Sequence, residues 1–322
     1  MHRSFRIVFY TLAGILCAAT AQSAIAQTYP IRPVRIIVPS APGAAADILS
    51  RTLAPGMSQI IGQPVIVENK VGAGSLIGFE YVAKSVPADG YTGIVAAVTG
   101  LAILPLITKD MRFDPLKDLQ PVINLAEARL IFGSPSKAPW KTLAELVTHA
   151  KASPGKLNHG GSNATVRFWN DALIQGLGIN VVYIPYKDSA AYYQGLAGNE
   201  IQMGFAAESS AIGMGDKFRA LATTGAQRNP AAKDVPTLAE LGHPQIFGVG
   251  YALSVPAATP KAAMDKLHDA ATKTLRQPEM NTRLKNMGLD ADGGSMDAAV
   301  KRLADEGSVL ARIAKATGFQ MQ

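Results

Sequence analysis

Apolar and polar positions follow two rhythms along this 322-residue chain. Short, mostly apolar runs, "VRIIV" (34–38), "PVIVEN" (64–69) and "GIVAAV" (93–98), have the length of buried strands. Between the first two the spacing becomes helical. Ile48, Leu49, Leu53, Met57, Ile60 and Ile61 recur near helical intervals, which predicts a helix from the end of the loop 39–47 to about Ile61. A second helix is expected over roughly 75–85, and the turn cluster "PADGYT" (87–92) leads into the third strand.

The middle of the chain repeats this style. "TLAELVTHAKAS" (142–153) reads as an amphipathic helix stopped by Pro154 and Gly155. "NVVYIPY" (180–186), "IQMGFA" (201–206) and "FRALATT" (218–224) read as strands, and "SAAYYQGLAGN" (189–199) as a helix closed by Gly198. "PTLAELG" (236–242) has the signature of a short helix, with Pro236 at its start and Gly242 at its stop. From Pro260 to Gly318 the pattern is mostly helical. Strands alternating with helices predict an α/β protein whose sheets are mostly parallel and flanked by helices. Two extended stretches, 121–135 and 246–256, are placed to cross between two domains. Paired crossings split the first domain into two pieces (27–127 and 248–322, around a second domain at 128–247) and form a hinge.

The N-terminus changes the setting. Residues 1–26 carry Arg3 and Arg6 and no acid, then an apolar run from Ile7, then Ala24-Ile25-Ala26 before Gln27. This is the pattern of a secretory signal peptide cleaved after Ala26, which implies export to the periplasm. Cys17, the only cysteine, lies inside that leader, so disulfides contribute nothing to the exported part. The net charge is +7, and the lysines and arginines are scattered. With no basic stripe, nucleic acid is not an expected partner.

Three motifs invite catalytic readings. Gly72-Ala73-Gly74-Ser75-Leu76-Ile77-Gly78 follows a strand and opens a helix, but it is one residue too long for the dinucleotide fingerprint. The next strand also lacks the acid that would hold a ribose. "GGSNA" (160–164) is one residue from a hydrolase nucleophile elbow, which leaves an exported serine hydrolase using Ser162 as an alternative. It would need a downstream histidine, of which there are only His243 and His268. No histidine or acid spacing suggests a metal site, and no cofactor is expected.

The loops 39–47, 72–75 and 160–165 share one design: a strand ends, small residues follow and a helix begins. Backbone N–H groups at such helix starts are unpaired and carry partial positive charge, so they suit a carboxylate or phosphate. Asp47, at the end of the first loop, reads as a helix cap or hinge fixer rather than a ligand contact.

Seven segments in order carry a family resemblance: "YPIRPVRIIVPSAPGAAADILSR", "VIVENKVGAGSLIG", "PADGYT", "GKLNHGGS", "IPYKDSAA", "DVPTLAELG" and "VPAATP". Together they resemble the solute receptors of tripartite tricarboxylate transporters, the Bug family of periplasmic binding proteins. The resemblance implies a two-domain type II periplasmic binding protein fold with a ligand cleft at the hinge, no catalysis, and a small carboxylate held largely by main-chain groups. It implies ligand contacts at Ser40, Ala41, Pro42, Gly43 and Ala44, at Thr99, and at Gly161, Ser162, Asn163 and Ala164. Asp188 falls near the cleft mouth and Arg167 beside the second-domain loop. The implied partner is a transporter permease, or a sensor's periplasmic domain, with the receptor itself a monomer. The chain departs from the family pattern at Ala44, Ser75, Arg167 and Asp188. Arg167 beside Phe168 and Trp169 would favour a second carboxylate or a ring-bearing acid if it faces the cleft, and otherwise faces solvent while the aromatics pack inside.

Overall fold

The computed structural model describes residues 29–162, 164–225, 227–229 and 232–317. The expected leader and Asn163 lie outside the described residues, as does the side chain of Ala164.

The chain begins with β1 (Val34–Val38), α1 (Ala45–Ile61), β2 (Val65–Asn69), α2 (Leu76–Lys84), β3 (Thr92–Ala97), α3 (Val98–Ile107), α4 (Pro115–Asp118) and β4 (Leu119–Ala128). It continues through β5 (Leu130–Pro135), α5 (Leu143–Ala152), β6 (Asn158–Gly161), α6 (Ala164–Leu177) and β7 (Val182–Pro185). Then come α7 (Ser189–Ala197), β8 (Gly204–Ala207), α8 (Glu208–Met214) and β9 (Phe218–Thr223). It ends with β10 (Val249–Pro256), α9 (Lys261–Leu275), α10 (Pro278–Asn286), β11 (Leu289–Ala291) and α11 (Met296–Thr317).

Six strands form one sheet in the order β11-β4-β10-β3-β1-β2. The strands between β4 and β10 form a second layer, β8-β5-β9 and β6-β7, linked by a parallel bridge from His159 to Met203. Among the described residues, the parallel ladders are β1–β2, β1–β3 and β6–β7 and the other ladders are antiparallel, so the sheets are mixed rather than mostly parallel. The cause lies in the connections. β4 carries the chain out of the first sheet and β10 brings it back, and as neighbours they run antiparallel. Apolar residues of both layers share one buried cluster, which includes Phe79, Leu101, Leu104, Phe168, Trp169, Leu303 and Leu310.

Two local readings change. Residues 236–242 form a single hydrogen-bonded turn, not a helix. Thr237 and Glu240 make the reciprocal bonds of a capping box, but the N–H of Leu238 goes to the carbonyl of Thr223 and that of His243 to Leu238, which stops propagation. Conversely, α3 follows β3 without a break, within an apolar stretch that carries no helical stripe. Elsewhere the helices pack closely. At Gly56, in the middle of α1, an added Cβ would sit 2.6 Å from Cγ2 of Thr274 on α9.

Candidate functional site

β2 and β3 lie on opposite sides of β1, so the loops leaving β1 and β3 part company at the carboxyl ends of these strands. Such a switch point leaves a crevice, the usual ligand position in open α/β sheets. A cavity of about 170 Å³ occupies it, lined by Pro39, Ser40, Ala44, Ala45, Ala46, Ser75, Phe79, Ala96, Ala97, Gly100 and Tyr251. None of these residues is charged.

Three helices start beside this cavity, and each lacks a side-chain cap: α1 after Ala44, α2 after Ser75 and α3 after Ala97. Elsewhere α4, α5 and α7 are capped by Asp114, Thr142 and Asp188, whereas α8, α9 and α10 also lack a side-chain cap, so it is the convergence of three uncapped starts on one cavity that sets this place apart. Apart from the Leu76 N–H, which bonds to the Ala73 carbonyl, the first-turn N–H groups at the cavity are left to water or a ligand.

The first loop is held from behind. The Asp47 carboxylate is 3% exposed and accepts from the Gly43 N–H at 2.9 Å, from Asn69 Nδ2 at 2.9 Å and from Arg51 Nε at 2.9 Å. Asn69 also donates to the Ser40 carbonyl. Burial would raise the Asp47 pKa, but the bonds from Gly43, Asn69 and Arg51 outweigh it and hold the carboxyl below the ordinary range. Gly43 has φ +82°, a conformation that costs glycine little. Ser75 has φ +83° with a side chain, and its hydroxyl donates to the Pro39 carbonyl at 3.0 Å, tying the second loop to the end of β1.

Nothing in the sequence singles out Tyr251. It stands opposite Ala97 in the β10–β3 ladder, so the two side chains leave the same face of the sheet. A register shift against β4 falls between Tyr251 and Ala252, a device that re-aims side chains. Burial pushes the Tyr251 phenol up to about 12, so it stays protonated at any physiological pH.

Thr99 has another task than lining the cavity. Its side chain is fully buried and its hydroxyl donates to Glu306 Oε2 at 2.7 Å. Glu306 accepts from Arg302 Nε at 2.8 Å, and Arg302 pairs with Glu127 of β4 at 2.8 Å. Burial raises the Glu306 pKa against the pull of Arg302 and Thr99. Gly250 of β10 makes room for this guanidinium, since an added Cβ would stand 2.3 Å from Arg302 Cζ. The start of α3 is thus braced against both crossing strands.

In the second layer, β6 ends in Gly160 and Gly161 and α6 follows. Gly161 lies against the backbone of Arg167, where a Cβ would meet its Cα at 3.1 Å. The Ser162 hydroxyl pairs with that of Ser189 at 3.1 Å, not with a histidine. The Asp188 side chain caps α7 by accepting the Ala191 N–H at 2.8 Å. Arg167 lies 3.4 Å from Asp171 and 4.6 Å over the Tyr183 ring, with its side chain 30% exposed. Phe168 and Trp169 are buried in the core. His159 is 3% exposed and 3.6 Å from Asp171, and burial, then the Arg167 charge, lowers it to about 4, so it is neutral. The other described histidines sit elsewhere: His149 against Trp140, His243 beside Gly176 and His268 on the Gly294 carbonyl. Among the described residues there is no metal-binding cluster and no helix long and apolar enough to cross a membrane.

A family model described as the tripartite tricarboxylate transporter family receptor matches residues 49–319. A UPF0065 protein of Bordetella pertussis is 32% identical, over 97% of this chain and 97% of its own. Protein BugT of the same organism is 31% identical, over 98% of this chain and 97% of its own. Among solved structures, a periplasmic transporter superposes with TM-score 0.77 at 33% identity, covering 91% of this chain and 100% of that one. The R. palustris protein Rpa4515 with adipate gives TM-score 0.77 at 27% identity, with coverage of 91% and 100%.

Proposed function

The chain belongs to the tripartite tricarboxylate transporter receptor family, the Bug group of periplasmic solute-binding proteins, and from that premise we propose that it captures a small organic carboxylate. Capture starts at the switch-point cavity, whose lining belongs to one domain made of 27–127 and 248–322, and another domain made of 128–247 closes over it. The chain is exported with cleavage after Ala26, acts as a monomer, and hands its ligand to the membrane permease of a tripartite transporter.

One observation carries the reading: three uncapped helix starts meet at a single cavity whose lining bears no charge. An anion there would exchange its hydration shell for fixed N–H dipoles, and domain closure would complete its burial. The similar R. palustris protein Rpa4515 is solved with adipate, a dicarboxylate, which supports this reading. The contacts we assign are the main chain of Ser40 to Ala44 and the loop Gly161 to Ala164, with Arg167 at its border. Thr99 acts by holding α3 in place, and Asp188 by capping α7. The hydrolase alternative has no support of this kind, because the Ser162 hydroxyl is engaged with Ser189.

The test is a thermal-shift screen of the mature, refolded protein against mono-, di- and tricarboxylates, aromatic acids, amino acids and the matching amides. Ligand at 100 times its dissociation constant stabilises by about 2.7 kcal/mol, which raises Tm by a few degrees. A shift with an acid and none with its amide is expected. A folded protein that no acid stabilises would overturn the reading.

A further inference from the structure

We infer that Tyr251 contacts the ligand and, with Ser40, reads the bound acid through neutral hydroxyl donors; this deepens the carboxylate reading above and rests on it. Tyr251 is 9% exposed and lines the cavity, and its hydroxyl makes no hydrogen bond among the described residues. The ring is buried, while the phenol oxygen itself is not sealed off from solvent, so a ligand in the cavity can reach it. The Ser40 hydroxyl is buried in the same wall and likewise has no partner among the described residues, although the Ser40 carbonyl is held by Asn69. Two unspent donors in one cavity define a place for an acceptor.

Their neighbours say what kind of acceptor. Tyr251 stands opposite Ala97, the residue from which α3 starts, so the phenol and the free N–H groups of that helix face one space. Ser40 stands at the entry to the loop before α1. Each of these groups can donate, and the backbone N–H groups can do nothing else, which suits an oxygen with negative charge better than a cation. No lysine, arginine or histidine lines the cavity, so no ion pair contributes on this side. The phenol, held protonated by burial, remains a donor throughout the physiological pH range.

The experiment compares the refolded mature protein with Tyr251→Phe and Ser40→Ala by calorimetric titration, using the strongest acid of the carboxylate panel and its amide. Tyr251→Phe keeps the ring and its packing, so the ligand-free Tm stays within a degree or two of the parent. Loss of a hydrogen bond to a charged group is expected to weaken acid binding by about tenfold or more, with a smaller loss for Ser40→Ala. Because the donors are neutral, the parent's dissociation constant should change less than about twofold between low and high salt. Equal affinity of Tyr251→Phe and the parent would overturn the inference and leave the carboxylate reading standing, and so would a steep salt dependence. Absence of binding by every acid to the folded parent would overturn both.

Discussion

The two walls that face the proposed cleft use their polar groups in opposite ways. On the first-sheet side, helix starts are uncapped and the hydroxyls of Ser40 and Tyr251 lack partners among the described residues, while Asp47, Asn69 and Glu306 do their bonding behind the surface. On the second-layer side the loop groups are spent locally, Ser162 on Ser189, Asp188 on α7 and Arg167 on Asp171 and Tyr183, and the atoms without a partner, His159 Nδ1 and Trp169 Nε1, are buried. A wall that leaves donors unpaired is preorganised for an anion, because binding there breaks no protein hydrogen bond. A wall whose groups are already satisfied can close over a ligand without demanding a specific charge.

The largest expected effect comes from breaking the support of the first wall. Asp47→Ala removes the buried acceptor of Gly43, Asn69 and Arg51 and should destabilise the protein by about 3 kcal/mol. It should also abolish acid binding at ligand concentrations that saturate the parent. Urea unfolding and calorimetry check this, and a loss of stability below about 1 kcal/mol would show that the loop is held by something else.

Acid should then separate the walls. His159 is neutral in the fold with its pKa lowered to about 4, whereas an unfolded histidine titrates near 6.5. As pH falls from about 6.5 towards 4 the unfolded chain takes up a proton that the folded one refuses, so stability declines across that window. The loss amounts to about 2 kcal/mol at pH 5. The Asp47 pKa is also lowered, but for the opposite reason, because against its burial its hydrogen bonds and Arg51 favour the charged form. The lowered pKa adds stability that is fully present above the unfolded carboxyl value and is lost only as pH falls below about 4. Hydrogen exchange at pH 5 should therefore show β6 and α6 opening more readily than at pH 7, while the 40–47 loop stays protected. Equal protection of both at pH 5, or an unchanged response in His159→Gln, would contradict this order.

The smallest effect is expected at Arg167. Its contact with Asp171 is long and partly exposed, so Arg167→Gln should cost less than about 1 kcal/mol of stability. Its effect on the dissociation constant for the strongest acid should stay below about threefold. A tenfold loss confined to dicarboxylates would instead show that the second wall supplies a charge and that the two walls share the ligand.

Much of the first wall is legible in the sequence, and the gaps have physical causes. The periodicity over 45–61 and the small-residue loop before it locate α1, but Asp47, readable as a helix cap or hinge fixer, lies inside the helix and holds the loop at Gly43 instead. α3 escapes such a reading because Val98–Ile107 is buried on most sides and so shows no apolar stripe. The turn at 236–242 has real helix-start chemistry, but pairing with Thr223 ends it. Thr99 is readable as a residue near the cleft, yet its hydroxyl is claimed by Glu306, 207 residues further on.

What the sequence determined by itself was the alternation of strands and helices, the positions of the glycine and alanine loops and the family they resemble. These depend on short-range rules of periodicity, turn conformation and capping. Only the tertiary structure decided which donors stay unpaired. Whether a polar group is satisfied depends on partners brought close by folding: Ala97 beside Tyr251, Glu306 beneath Thr99, Asp171 against Arg167. The first two of these pairs join residues far apart along the chain, and no local pattern encodes such an encounter.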